Sequence, residues 1–278
     1  WLSMTNIVAN TGVVATDVTG VGTGRRELAG CQYGGDKGIF GYGTGPTFPT
    51  YTAMTNLISN TGVCGTDVTG VGQARGFLAA CSYGDDKGIF GYGHNSPAGG
   101  FMSMTNLVSN TGVVATDTTG VGTDRRFLGA CEYGDDKGIF GYGGVPTSTA
   151  VTNLVSNTGV VATDTSGVGT ARQMLTACSF GGDQGIFGYG NASPGYSAVT
   201  NLVSNTGVVA TDTTGVGTGR INLAGTQYGG DKGIFGYGEN PEHNALSITN
   251  LISNTGVQAT DTTGVGTARA LLAACSFN

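Results

Sequence analysis

The chain has 278 residues, a formal net charge of -6, and only 11% charged residues beside 53 glycines. The acidic balance excludes a partner held through phosphate contacts, which needs a basic face. The low charge excludes acid-rich solvating disorder, the lack of a three-residue glycine period excludes collagen, and no apolar run is long enough to cross a membrane as a helix.

In chain order the first elements read as four short strands: TNIVAN from residue 5, GVVATD from 12, ELAGCQY from 27 and KGIFGYG from 37. NTG, TGVG and GGD separate them, and all three are turn signals. The set then returns. The Thr-Asn pair recurs at Asn6, Asn56, Asn106, Asn153, Asn201 and Asn250, at spacings of 50, 50, 47, 48 and 49. No 3.6-residue apolar stripe survives the glycines, so a helical array is excluded.

The segments 5–43, 55–93, 105–143, 152–190 and 200–238 have one length, and all length variation falls in linkers 44–54, 94–104, 144–151, 191–199 and 239–248. All six prolines and both histidines lie in those linkers. Insertion is therefore tolerated on one face only. A four-stranded unit of this size cannot bury both faces alone, so copies must stack. A closed ring covers every face. The expectation is an all-β, six-bladed β-propeller in a single domain 1–278, with repeats of about 48 residues at 5–54, 55–104, 105–151, 152–199, 200–248 and 249–278. An open β-solenoid is the competing architecture.

The KGIFGYG strand occurs five times, and the sixth copy would begin where the chain reads CSFN. Three arrangements follow. Both termini build the last blade and leave an interior strand out; or the blade starts at Thr-Asn and lacks only an edge strand; or the strand comes from residues beyond Asn278 or from a partner chain.

The stretch ARGFLAACSYGDDKGIFGYG (74–93), with TNLISNTGVCGTD (55–67) as third strand and turn, resembles a kelch repeat. The closing glycines, Gly91 and Gly93, are split by Tyr92, and the family's fourth-strand tryptophan is absent, since Trp1 is the only one. The resemblance implies propeller blades. Gly/Thr/Asn-rich repeats ending in IFGYG are also similar to repeats of predicted phage virion (tail or fibre) proteins.

Most charged residues repeat with the blades: Arg25, Arg75, Arg125, Arg172, Arg220 and Arg269, and Asp17, Asp67, Asp117, Asp164, Asp212 and Asp261. So do Asp36, Asp86, Asp136, Asp183 and Asp231, four of them followed by Lys37, Lys87, Lys137 or Lys232 and one by Gln184. A residue present in every copy serves folding, with Arg as a planar five-donor fork and Asp as a turn former. Cys31, Cys81, Cys131, Cys178 and Cys275 share one repeat position, with Thr226 in the remaining copy, and Cys64 stands apart. Equivalent positions in successive blades lie too far apart for disulfides, so buried thiols are expected.

No catalytic set is legible: His94 and His243 are remote from one another and lack a defined partner, and the non-repeated acids Glu27, Asp85, Asp124, Glu132, Asp135, Glu239 and Glu242 do not visibly converge. The expectation is no enzyme, no cofactor and no metal. The linker residues Phe48, Tyr51, His94, Phe101, Tyr196 and His243 are the candidate ligand-binding residues, as exposed aromatics beside small polar groups suit protein or sugar surfaces. The chain then reads as a structural or receptor-binding module of a virion appendage or cell surface, with a protein partner in an assembly. A glycan-binding lectin with repeated sites is the alternative. Nucleic acid and membrane insertion are not expected, a homo-oligomer stays open, and a virion or extracellular location is favoured over a cytoplasmic one.

Overall fold

Residues 1–47, 50–96 and 100–277 are described by a computed structural model, and they form β-strands and turns with no helix. Five three-stranded antiparallel sheets follow one another along the chain. The first holds β1 (Ala29–Tyr33), β2 (Lys37–Gly41) and β3 (Thr55–Ile58), and the second β4 (Ala79–Tyr83), β5 (Lys87–Asn95) and β6 (Gly100–Val108). The third holds β7 (Gly129–Tyr133), β8 (Lys137–Gly141) and β11 (Thr152–Val155), with a small ribbon of β9 (Gly144–Val145) and β10 (Thr147–Ser148) before β11. The fourth holds β12 (Thr176–Phe180), β13 (Gln184–Gly188) and β16 (Thr200–Val203), with the ribbon β14 (Asn191–Ala192) and β15 (Gly195–Tyr196) before β16. The fifth holds β17 (Ala224–Tyr228), β18 (Lys232–Gly236) and β19 (Thr249–Ile252). A fourth segment joins each sheet through isolated bridges, as at Thr55 with Val68 and Ile58 with Cys64.

The hairpin between β1 and β2 pairs Tyr33 with Lys37 and Ala29 with Gly41. Its loop needs left-handed backbone, which Gly34 (φ 63) and Gly35 (φ 79) supply. In the second and third copies Asp85 (φ 67) and Asp135 (φ 65) replace the latter glycine, and Asp tolerates that conformation better than most residues. Each KGIFG strand lies between two partners, and from the second sheet onward it is buried on both faces, which explains its unbroken apolar pattern.

The cores lie between successive sheets. Ala29, Cys31, Tyr33 and Ile39 of the first sheet pack with Leu78, Phe90 and Val108 of the second, and the pattern repeats down the chain. Cys31, Cys81, Cys131 and Cys178 are buried, Cys275 is half-buried, and all six cysteines are free. Burial, helped by the Glu132 charge, pushes the Cys131 thiol up to about 12.

The sheets return to their start. Backbone N–H groups donate from Phe77 to Glu27, Phe127 to Phe77, Met174 to Phe127, Asn222 to Met174, Leu271 to Asn222 and Glu27 to Leu271, at 2.9–3.0 Å. This is a closed circuit of six. All six residues have positive φ, between 56 and 62. A second seam runs outside it. Thr267 donates to Asp17 through its N–H (2.9 Å) and its hydroxyl (2.7 Å), repeating Thr218 with Asp261 and Thr23 with Asp67. The Thr267 and Asn6 hydrogen bonds hold the Asp17 carboxyl down at about 2.

The sixth unit draws on both termini. Residues 5–8 and 14–18 bridge each other at Thr5 with Val18 and Val8 with Val14. Residues 273–277 occupy the place of a first strand but make no ladder. The KGIFG strand is the interior strand of all five three-stranded sheets and not an edge strand. Each sheet thus combines the second half of one Thr-Asn-phased repeat with the first half of the next.

Candidate functional site

Alignment on the repeated arginine isolates two variable positions. The residue after it is Arg26, Gly76, Arg126, Gln173, Ile221 or Ala270, and the next is Glu27, Phe77, Phe127, Met174, Asn222 or Leu271. The second set is the hydrogen-bonded circuit itself. It rings a channel of about 120 Å³, whose lining continues through small residues such as Ala29, Ala79 and Ala177. A bulky side chain at positive φ is disfavoured by roughly 1–2 kcal/mol, yet Phe and Leu are held there. The circuit imposes the conformation by giving every N–H and carbonyl of the six residues a partner.

The linkers start beside these residues. Arg26 pairs with Thr44, Gly76 with His94, Arg126 with Gly144, Gln173 with Asn191 and Ile221 with Glu239. The variable positions and the variable linkers therefore share one face. On one side of that face an aromatic cluster forms. Phe77 and Phe127 pack with their rings tilted at 4.3 Å between centroids, and His94 lies 5.3 Å from Phe101 and 6.4 Å from Phe77. Arg126 lies over Phe127, Phe101 and Phe77 at 4.8, 5.1 and 5.6 Å. The Tyr51 hydroxyl meets His94 Nδ1 at 3.1 Å. Burial and then the Arg126 charge lower the His94 pKa, so this ring is held neutral at pH 7.

Next to the cluster, Arg26 Nε lies 3.0 Å from Glu27 Oε1, the guanidinium of Arg26 lies 4.7 Å from the Trp1 ring, and Trp1 Nε1 donates to the Thr44 carbonyl at 3.1 Å. The Thr44 hydroxyl donates to Glu27 Oε2. Burial raises the Glu27 pKa, while Thr44, Arg26 and Arg126 act to lower it. Arg126 thus acts on both Glu27 and His94.

Of the sequence candidates, Tyr51, His94 and Phe101 come together here. Tyr196 and His243 form a separate pair, with 3.4 Å between the hydroxyl and Nδ1 and the Glu239 carboxylate 3.7 Å from that nitrogen. Phe48 lies outside the described residues. Glu27, Phe77, Phe127 and Arg126 were not among the ligand-binding candidates. Their signal was their variation inside an otherwise repeated segment.

The repeated Arg and Asp residues sit away from the rim and tie units together. Arg75 donates from Nε to the Tyr92 carbonyl (2.8 Å) and from Nη2 to Asn106 (2.7 Å), and it stacks 4.3 Å over Tyr42 of the preceding sheet. Among the non-repeated acids, Glu132 feels Asp85, Asp135 and Asp136. Burial first, then these charges, push its carboxyl up to about 7. No group of three or more His, Cys, Asp or Glu residues suited to a metal occurs among the described residues. Neither histidine contacts a serine hydroxyl or a thiol in the hydrogen bonds of the described residues.

No protein-family model matches the chain, and no curated protein does.

Proposed function

We propose that the chain is a six-bladed β-propeller, kelch-like in its strand phasing, that acts without catalysis as an interaction module of a virion appendage or cell-surface assembly. The axial rim takes up a protein partner. One observation carries this reading: among near-identical repeats, the two positions that vary most all meet around a single hydrogen-bonded circuit. Repetition serves folding, so divergence at the axis is where specificity resides. Phe77, Phe127 and Arg126 are the residue types that dominate protein interfaces, and their clustering at one side of the rim makes a central anchor. Six exposed valines in equivalent turns (Val13, Val63, Val113, Val160, Val208, Val257) offer each blade a further apolar contact within an assembly.

The test is binding of the labelled chain to intact cells and to a glycan array. Cell binding is expected to vanish after protease treatment of the cells and to survive glycosidase treatment. Phe77→Ala and Arg126→Ala are each expected to weaken it by about tenfold or more with Tm little changed. Array binding by the wild type and not by these variants would replace the protein partner with a sugar. Binding indifferent to both substitutions would overturn the axial site.

A further inference from the structure

Of the twelve lysines and arginines, all but one find a polar partner within the chain. Each of the four lysines pairs with the Asp that precedes it. The six repeated arginines donate to carbonyls and to an asparagine of the next repeat, as Arg25 does to the Met54 carbonyl at 2.9 Å and Arg220 to Asn250 Oδ1 at 2.7 Å. Arg26 pairs with Glu27. Arg126 is the exception. Its guanidinium lies over three rings and makes no hydrogen bond or ion pair among the described residues. Ring faces attract the charge, but they leave its five N–H donors without a conventional acceptor.

The first repeat shows what an arginine takes in this position. Leu2 bridges to Arg25 and Met102 to Arg125, so Trp1 and Arg26 hold the places that Phe101 and Arg126 hold two repeats later. Both guanidiniums lie over the equivalent ring, at 4.7 and 5.1 Å. The residue after Arg26 is Glu27, which brings Oε1 to 3.0 Å from Nε. The residue after Arg126 is Phe127. The third repeat thus keeps the aromatic support of the ion pair and lacks the anion. Glu27 does not serve both sites, because Arg26 holds Oε1 and the Thr44 hydroxyl holds Oε2. Its charge is still felt at Arg126 and disfavours a doubly charged ligand such as phosphate. A lone planar fork in this setting suits one carboxylate, taken through two parallel N–H bonds.

We infer that Arg126 binds the side-chain carboxylate of an Asp or Glu on the partner, so that the rim recognises a peptide segment with an acidic residue beside an apolar one. The carboxylate meets Arg126 as Glu27 meets Arg26, and the apolar neighbour packs on Phe77 and Phe127. The ion pair sets register and rejects basic segments, while the rings supply most of the affinity. This inference rests on the axial rim being the partner's site and adds the chemistry of the group it takes.

The experiment is selection of a displayed library of random short peptides on the immobilised 278-residue chain, followed by calorimetry with a selected peptide made synthetically. Selected peptides are expected to share an Asp or Glu next to an apolar residue. Changing that acid to its amide is expected to weaken binding by about tenfold or more. Arg126→Gln is expected to weaken the acidic peptide equally, with Tm little changed, and to bind the amide peptide as the wild type does, since the two changes remove one interaction. Arg126→Lys keeps the charge but not the fork and is expected to fall between the two. Recovery of no peptide, peptides without a shared acid, or an acidic peptide that binds Arg126→Gln undiminished would overturn the inference. Acid-free peptides that Phe77→Ala no longer binds would do so while leaving the axial site in place. Binding indifferent to both Phe77→Ala and Arg126→Gln would remove the axial site as well. Sialylated glycans bound by the wild type and not by Arg126→Gln would make a sugar carboxylate the ligand and overturn the acidic peptide.

Discussion

Arg172→Ala is expected to destabilise the protein by about 3–5 kcal/mol. The side chain is 0% exposed. Its Nε donates to the Tyr189 carbonyl at 2.8 Å, Nη1 to the Thr170 carbonyl at 3.1 Å and Nη2 to Asn201 Oδ1 at 2.5 Å, while its guanidinium lies 4.4 Å from the Tyr142 ring of the preceding sheet. Burial lowers the Arg172 pKa, and the Tyr142 and Asp212 environments oppose that. Truncation leaves buried acceptors without donors, which costs about 1–3 kcal/mol each, and opens a cavity between two sheets. Arg269→Ala is the matched comparison. That side chain is 13% exposed and lies at the seam, so its loss is expected to be smaller. Urea titrations read both, and a loss below about 1 kcal/mol at Arg172 would place it among ordinary surface charges.

Gly88→Ala is the second large effect, at about 2–3 kcal/mol from overpacking. Its Cβ would stand 2.6 Å from Cys31 Sγ, 3.3 Å from the Gln32 carbonyl and 3.4 Å from Val108 Cβ. The thiol is buried in the core between the first and second sheets. Cys31→Ala removes that sulfur. The double variant is therefore expected to lose less than the sum of the two single variants, with a coupling of about 1 kcal/mol or more. Additive losses would mean that backbone, rather than the thiol, sets the limit. The pairing also explains why a cysteine and a glycine recur together: the small thiol fills the space that the missing Cβ leaves.

Much of the architecture was legible from repetition. The GGD turn between an alternating strand and an all-apolar strand announces a hairpin, and the pairing of Tyr33 with Lys37 is that hairpin. Linkers that alone vary in length announce one variable face. The phasing was not legible, because KGIFGYG reads equally well as an edge or an interior strand until the Thr-Asn strand is seen paired to it, as Asn56 is to Phe40. The site was legible only in part. Tyr51, His94 and Phe101 stood out as aromatics in linkers, but Phe77 and Phe127 lie inside the repeated segment, away from the linkers. They meet because six distant carbonyls accept from six distant amides, a relation with no local signal.

That circuit is the central claim, and native-state hydrogen exchange measures it residue by residue. Glu27 and Leu271, which join the two ends of the chain, are expected to exchange within about tenfold of Phe127 in the middle of it, since one closed unit opens as a whole. Exchange of Glu27 and Leu271 at unprotected rates, with Phe127 still slow, would show an open array and contradict the closed ring.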